Sequence, residues 1–257
     1  MRPTFFAPLI VLFFLASCAN DDSGGDTAPE IDKNLNRQST GSSSADLLSD
    51  ETFDSMVIEL AYIDGFEPTA ATVSNLVTFF ENRTFKPGGI RVVRKSIPSP
   101  GTSPYSIQEI VDIEEDNREF YNTDSEIAVW MLFVDGENEN DTNRSKILGT
   151  AYRNTSVVMY QNTIENLSDT ALEPSRTVLE TTATQHEIGH ILGLVNLGAP
   201  LQSDHEDEEN ERHCDVTDCL MFFMAETGSG AMDMIQGGMV PELDSQCIAD
   251  LRANGGR

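Results

Sequence analysis

Positive charge is what this sequence most lacks. Its 257 residues carry 16 Lys+Arg against 43 Asp+Glu, a formal charge of −27. A surface of this sign repels nucleic acid and anionic headgroups, which argues against functions that rest on a basic face. It keeps the chain soluble and favours cations, metal ions included. Histidine and cysteine are also scarce, at four each. No internal repeat is present, so a solenoid or propeller is excluded. The apolar run at residues 5–15 is too short to span a bilayer as a helix.

That run instead completes a leader. Arg2 precedes it, and Leu15-Ala16-Ser17-Cys18 follows it. A basic start, a short apolar core and small residues before a cut site read as a signal peptide over residues 1–17. The L-A-S-C sequence resembles a bacterial lipobox, in which Cys18 becomes the lipidated first residue. An ordinary secretory signal with an incidental cysteine is the alternative. Asp21-Asp22 resembles the surface-export signal of Bacteroidetes lipoproteins, or else belongs to a generic solvated linker. The expectation is therefore an exported lipoprotein, anchored in the outer membrane or at the cell surface through Cys18. Loss of residues 1–17 removes only Arg2, which leaves 15 Lys+Arg against 43 Asp+Glu and a charge of −28. Residues 18–45 are rich in Ser, Gly, Asp and Asn and read as a flexible tether. Residues 46–257 are left for one folded domain, enough to bury a sizeable core.

Within that domain, residues 54–64 read as a strand and 69–85 as an amphipathic helix. A second strand is expected at 90–97 and a second helix at 106–121. The long apolar run 126–135 is the best candidate for a central strand. Two more strands at 146–152 and 155–161 precede a long helix at 173–194. Early alternation of strands and helices implies a mixed α+β (α/β) layer, a twisted sheet with helices packed on it. Residues 46–195 would form this sheet subdomain with the last helix. Residues 196–257 would form a small irregular lobe, held by metal or disulfide more than by a large core.

The last helix contains His186-Glu187-Ile188-Gly189-His190. Two histidines four apart on a helix project from one face, and H-E-x-x-H suits a zinc peptidase. Zinc accepts neutral imidazole, and three protein ligands leave a position open for water. Glu187 is placed to act as general base. Gly193 can take positive φ and end the helix. In the metzincin pattern H-E-x-x-H-x-x-G-x-x-H the third histidine would then stand at 196, but this chain has Asn196. An amide is a poor zinc ligand, so Asn196 is better read as a turn residue. The two remaining histidines are His205, in the acidic run DHEDEENE, and His213.

His213 opens the sequence H-C-x4-C-x-M, formed by His213, Cys214, Cys219 and Met221. Joined to H-E-x-x-H-x-x-G, this resembles the motif of the archaemetzincin-type metzincin proteases, which ends in a later C-x-x-C. Nineteen residues, 194–212, separate Gly193 from His213 where the motif has two, so the two halves are split by an insertion. The resemblance implies a metzincin-like fold and His213 as the third ligand of a catalytic zinc, in preference to His205. It implies that Met221, or alternatively Met224, is the methionine of a turn beneath the metal. It also implies an edge strand near 148–152 that would pair with an extended peptide. The acidic run around His205 reads as a solvated loop, with calcium binding through its carboxylates as the alternative.

Archaemetzincins hold a second, structural zinc with four cysteines. This chain has Cys214, Cys219 and Cys247, but its final C-x-x-C reads C-I-A-D. The resemblance then implies a second zinc on Cys214, Cys219, Cys247 and Asp250. A disulfide between two of these cysteines is the competitor, although three cysteines cannot all pair. The expected function is zinc-dependent endopeptidase action on a peptide or protein substrate. A non-catalytic surface lipoprotein that binds a peptide or partner is the alternative. Glu187 argues for the enzyme, because a purely structural site has no use for a base there.

Overall fold

The computed structural model describes residues 31–169, 174–235 and 238–257. The expected leader and Cys18 lie outside the described residues. The order of elements is α1 (Ser44–Leu48), β1 (Ser55–Ile63), α2 (Ala70–Arg83), β2 (Gly89–Ile97), α3 (Ile107–Asn117) and β3 (Glu126–Phe133). Then follow β4 (Gly149–Arg153), β5 (Ser156–Met159), α4 (Gln161–Asn166), α5 (Arg176–Ile191), α6 (Gly228–Met234) and α7 (Ser245–Ala253).

The strands form one sheet of order β2-β1-β3-β5-β4. The first four are parallel, and β4 runs antiparallel to β5 at the edge. This is the mixed α/β architecture expected, with β3 at its centre. β3 is apolar at nearly every position because both its faces are covered. Its Ile127, Val129, Met131 and Phe133 pack with residues of α2 and α5, while Trp130 and Leu132 face the side of α3. The alternation is the two-residue period of a strand.

The helices begin where the sequence offers caps. The Thr69 side chain accepts the N–H of Thr72 at the start of α2. Ser106 and Glu109 form a reciprocal capping box on α3. Ser175 caps α5 by accepting the N–H of Val178. Glu180, fully buried in α5, accepts hydrogen bonds from the Thr69 N–H and the Thr72 hydroxyl. This carboxylate ties α5 to the start of α2 and fixes the helix that carries the histidines.

Two expectations need correction. The segment read as a tether up to residue 45 is folded from residue 31 onward. Lys33–Asn36 forms a 3-10 turn, and buried Asn36 donates to Asn122 Oδ1 at 2.8 Å and to the Ala128 carbonyl at 3.1 Å. The Ser44 hydroxyl donates to the Leu192 carbonyl at 2.5 Å, at the end of α5. Composition misled here because this segment is held by satisfied polar groups rather than by apolar burial. The C-terminal segment is also not a lobe apart. Leu220, Met221, Ala231, Leu243, Cys247 and Leu251 are buried in the same core cluster as β1, β3, α2 and α5. Residues 31–257 form one compact unit.

Candidate metal centre

Two clusters of metal-competent side chains lie at the C-terminal end of α5 and in the segment after it. The first joins His186, His190 and His213, with one ring nitrogen of each within 4.8 Å of the others. His186 and His190 come from successive turns of α5, and their Nε2 atoms lie 3.2 Å apart. The His213 ring stacks on His186 at 5.3 Å between centroids and meets His190 edge-on at 5.2 Å. Asn196 stays outside this group. It takes φ +65° and donates to Glu206 Oε2, as a turn residue does.

The path of the chain explains the displaced third imidazole. Gly193 adopts φ +83°, and a Cβ there would lie 2.5 Å from the Ser44 hydroxyl. The chain therefore leaves α5 by a turn open only to glycine. Residues 194–212 run out and return, and the Cys214 N–H donates to the Met221 carbonyl at 2.8 Å. That bond sets His213 at the mouth of the site. Met221 is fully buried against α5, and a Cβ on Gly189 would lie 2.2 Å from its Sδ. Only glycine lets this methionine reach the helix backbone between the two histidines.

The hydrogen bonds around the rings assign their nitrogens. His186 Nδ1 donates to the Leu220 carbonyl at 2.8 Å, and His213 Nδ1 donates to the Glu211 carbonyl at 3.1 Å. Both Nε2 atoms are left as lone-pair donors directed inward. Burial, then the neighbouring His213, lowers the His186 pKa to about 3. Burial, then His186 and His213, holds His190 well below the ordinary imidazole value. Neutral imidazoles packed this closely suit a cation. His213 Nε2, His190 Nδ1 and Glu187 Oε1 are buried without hydrogen-bond partners. An orphaned imidazole nitrogen beside two convergent ones is the observation that fits zinc here.

Glu187 is buried beside the histidines, and its Oε2 accepts the N–H of Ala151 in β4 at 2.8 Å. Burial, then the nearby Glu226 carboxylate, raises its pKa well above the usual range. Nothing in the sequence marked Glu226, whose Oε2 lies 3.5 Å from His213 Nε2. Glu187, Glu226, His213, Arg212, Ala151 and Thr40 line a cavity of about 310 Å³.

The edge strand is less open than expected for peptide pairing. Gly228 N–H donates to the Lys146 carbonyl, and Leu148 N–H donates to the Glu226 carbonyl. Thr40 Oγ1 donates to the Ala151 carbonyl at 3.1 Å, and Asn154 N–H donates to the Gln38 carbonyl at 3.0 Å. With the Ala151 N–H on Glu187, the outward backbone groups of Ala151 are both engaged.

The second cluster departs from expectation in two ways. Cys214, Cys219 and Cys247 are buried free thiols, so none of the competing disulfides is formed. Cys219 Sγ lies 3.7 Å from Cys247 Sγ. His205, read as part of a solvated loop, is fully buried, with Nδ1 3.5 Å from Cys214 Sγ. Asp250, expected as a ligand, instead accepts from His205 Nε2 at 2.8 Å. One ligand atom from each of His205, Cys214, Asp244 and Cys247 lies within 4.8 Å of the others. Hydrogen bonds from Cys214, then Cys247, lower the Cys219 pKa to about 3. Among the described residues the acidic run forms no third such cluster. Asp207 accepts the N–H groups of Glu209 and Asn210, and Glu206 accepts that of Arg212, all within the loop.

Comparison with known proteins places the fold. No protein-family model matches the sequence, and no curated protein matches it. Among solved structures, archaemetzincin from Methanopyrus kandleri aligns with a TM-score of 0.50 at 16% identity, over 78% of this chain and 96% of that one. Metalloproteinase-II from Bacteroides fragilis aligns with a TM-score of 0.40 at 14% identity, over 81% of this chain and 55% of that one. The chain therefore has an archaemetzincin-like fold.

Proposed function

We propose that this protein is a zinc-dependent metalloendopeptidase, with His186, His190 and His213 as zinc ligands and Glu187 as general base. The observation that carries this reading is the convergence of three imidazoles beside one buried carboxylate. Bound zinc would supply a water of lowered pKa and polarise a peptide carbonyl. Glu187 would take the proton from that water on Oε1, which has no other partner, while the Ala151 N–H holds Oε2 in place. Its raised pKa suits it to hold that proton and return it to the leaving amine. Met221 would form the apolar floor beneath the metal. The substrate is a peptide or protein segment that enters the cavity between Glu226 and Thr40.

The proposal extends to a second, structural zinc in the cysteine cluster. It also extends to export and to membrane anchoring through Cys18, supported by the L-A-S-C sequence. Glu187→Gln tests the chemistry: zinc should remain bound while peptide cleavage is lost. Cleavage at the wild-type rate would place the activity elsewhere. For the anchor, Cys18→Ser should release the protein from the membrane fraction, and a variant that still sediments with membrane would refute the lipoprotein reading.

A further inference from the structure

We propose that His205, carried on the insertion, is the fourth ligand of the second metal site, with Cys214, Cys219 and Cys247, and that Asp250 orients its imidazole. This deepens the second-zinc part of the proposed function and is independent of peptide cleavage.

The argument rests on which donors are free. In a tetrahedral zinc site with Zn–S near 2.3 Å, the sulfurs stand about 3.8 Å apart. Cys219 and Cys247 lie 3.7 Å apart, and His205 Nδ1 is 3.5 Å from Cys214 Sγ. Two backbone N–H groups, of Met221 and Asp244, each donate to Cys219 Sγ at 3.4 Å and hold this sulfur in place. Three carboxylate or imidazole groups compete for the fourth place. Asp244 caps α7 through Oδ1, which accepts the N–H of Gln246 and of Cys247, and only its Oδ2 faces the cluster, 3.7 Å from Cys214 Sγ against 3.5 Å for His205 Nδ1. Asp250 is committed on both oxygens, Oδ1 to the Gln202 N–H at 2.7 Å and Oδ2 to His205 Nε2 at 2.8 Å. His205 Nδ1 has only a cysteine sulfur before it. A carboxylate on the far nitrogen of an imidazole fixes its tautomer and turns the other nitrogen's lone pair toward a metal. A fully buried histidine on a largely exposed acidic loop, paired with a fully buried aspartate of α7, otherwise has no reason to be there.

The consequence concerns the insertion. His205 lies near its middle, and Leu197, Glu211 and Arg212 on either side line the catalytic cavity. A ligand at His205 would therefore anchor the loop that walls the catalytic cleft and leads into His213.

The experiment counts metal in the full chain by elemental analysis after exposure to a mild chelator, in wild type and five variants. Wild type should hold two zinc ions. His205→Ala should lose one, and Asp250→Asn should weaken the second site by about 10- to 100-fold. Asp244→Asn should keep two. His205→Cys should also keep two and, with cobalt in place of zinc, should show stronger sulfur-to-metal absorption than wild type, which a merely structural role for His205 would not produce. Two firmly held ions in His205→Ala would overturn the ligand assignment while leaving the second zinc intact. One ion in wild type, unchanged in Cys247→Ala, would overturn both. Neither result bears on Glu187→Gln, so failure here and failure of the peptidase reading are distinguishable.

Discussion

Two metal-competent clusters meet across one peptide bond, between His213 and Cys214, yet they are assembled differently. The imidazole cluster takes two histidines, with Glu187 beside them, from a single helix, α5, and only His213 from outside it. The cysteine cluster draws on three separate stretches: the acidic loop that carries His205, the loop 214–221 and α7. A helix sets its own side-chain spacing, so the relative placement of His186 and His190 follows from α5 alone. Nothing local spaces His205 from Cys214 or Cys247. The second cluster can form only as the tertiary fold forms, and any bound metal there adds its binding free energy to the fold. The first site is therefore read as chemistry on a preformed scaffold, and the second as part of the scaffold.

The sharpest way to break this contrast is to remove the one ligand that α5 does not supply. His213→Ala should lose catalytic zinc about as fully as His186→Ala, while Asn196→Ala retains it; metal titration of the three variants decides. Equal retention in His213→Ala would make the helix pair sufficient. Next in size is Glu187→Gln, for which loss of a general base lowers the rate by about 10²- to 10⁴-fold with zinc still bound. Single-turnover cleavage of a peptide library beside metal analysis measures both.

Smaller effects test the packing beneath the first site. Gly189→Ala places a Cβ 2.2 Å from Met221 Sδ. Overpacking of this kind costs about 1–3 kcal/mol, read as a lower midpoint in denaturant unfolding. The pH dependence should follow from His186, whose pKa is about 3 in the fold against 6.5 for the ordinary group. Between these values the unfolded chain binds the extra proton, so the metal-free fold should lose stability as pH falls from about 6.5 toward 3. A flat unfolding midpoint across that window would mean His186 is not held neutral. The smallest effect is Thr40→Val, which deletes the hydroxyl on the Ala151 carbonyl. It should cost about 0.5–1.5 kcal/mol of stability, and a fall in KM for extended peptides would show that Thr40 occupies their place on β4.

Much of the sheet was legible because its signals are local. The alternating and continuous apolar runs of β1 and β3, and the spacing of Val73, Leu76, Phe79 and Phe80 in α2, reflect burial against the sheet. The segment 31–45 was misread because its buried groups are Asn36, Ser43 and Ser44, whose partners lie from 86 to 210 residues away. His205 was misread for the same reason. Its neighbours in sequence are exposed acids, and its partners, Cys214 and Asp250, are brought to it by the turn after α5 and by the docking of α7. Glu226 and Thr40 had no signal at all, since each reaches the cavity by lying beside the edge strand.

What the sequence alone determined is what a helix or strand period can carry: a buried central strand, an amphipathic α2, and His186 and His190 on one face of α5 with Glu187 next to them. Those follow because backbone geometry converts spacing directly into position. The tertiary structure alone brought His205 and Asp244 beside Cys214 and Cys247 and set Asp250 on the far nitrogen of His205. It likewise decided which backbone groups of β4 remain free. Both depend on where chain segments far apart in sequence come to rest, and a buried polar side chain keeps its place only where that packing gives it a partner.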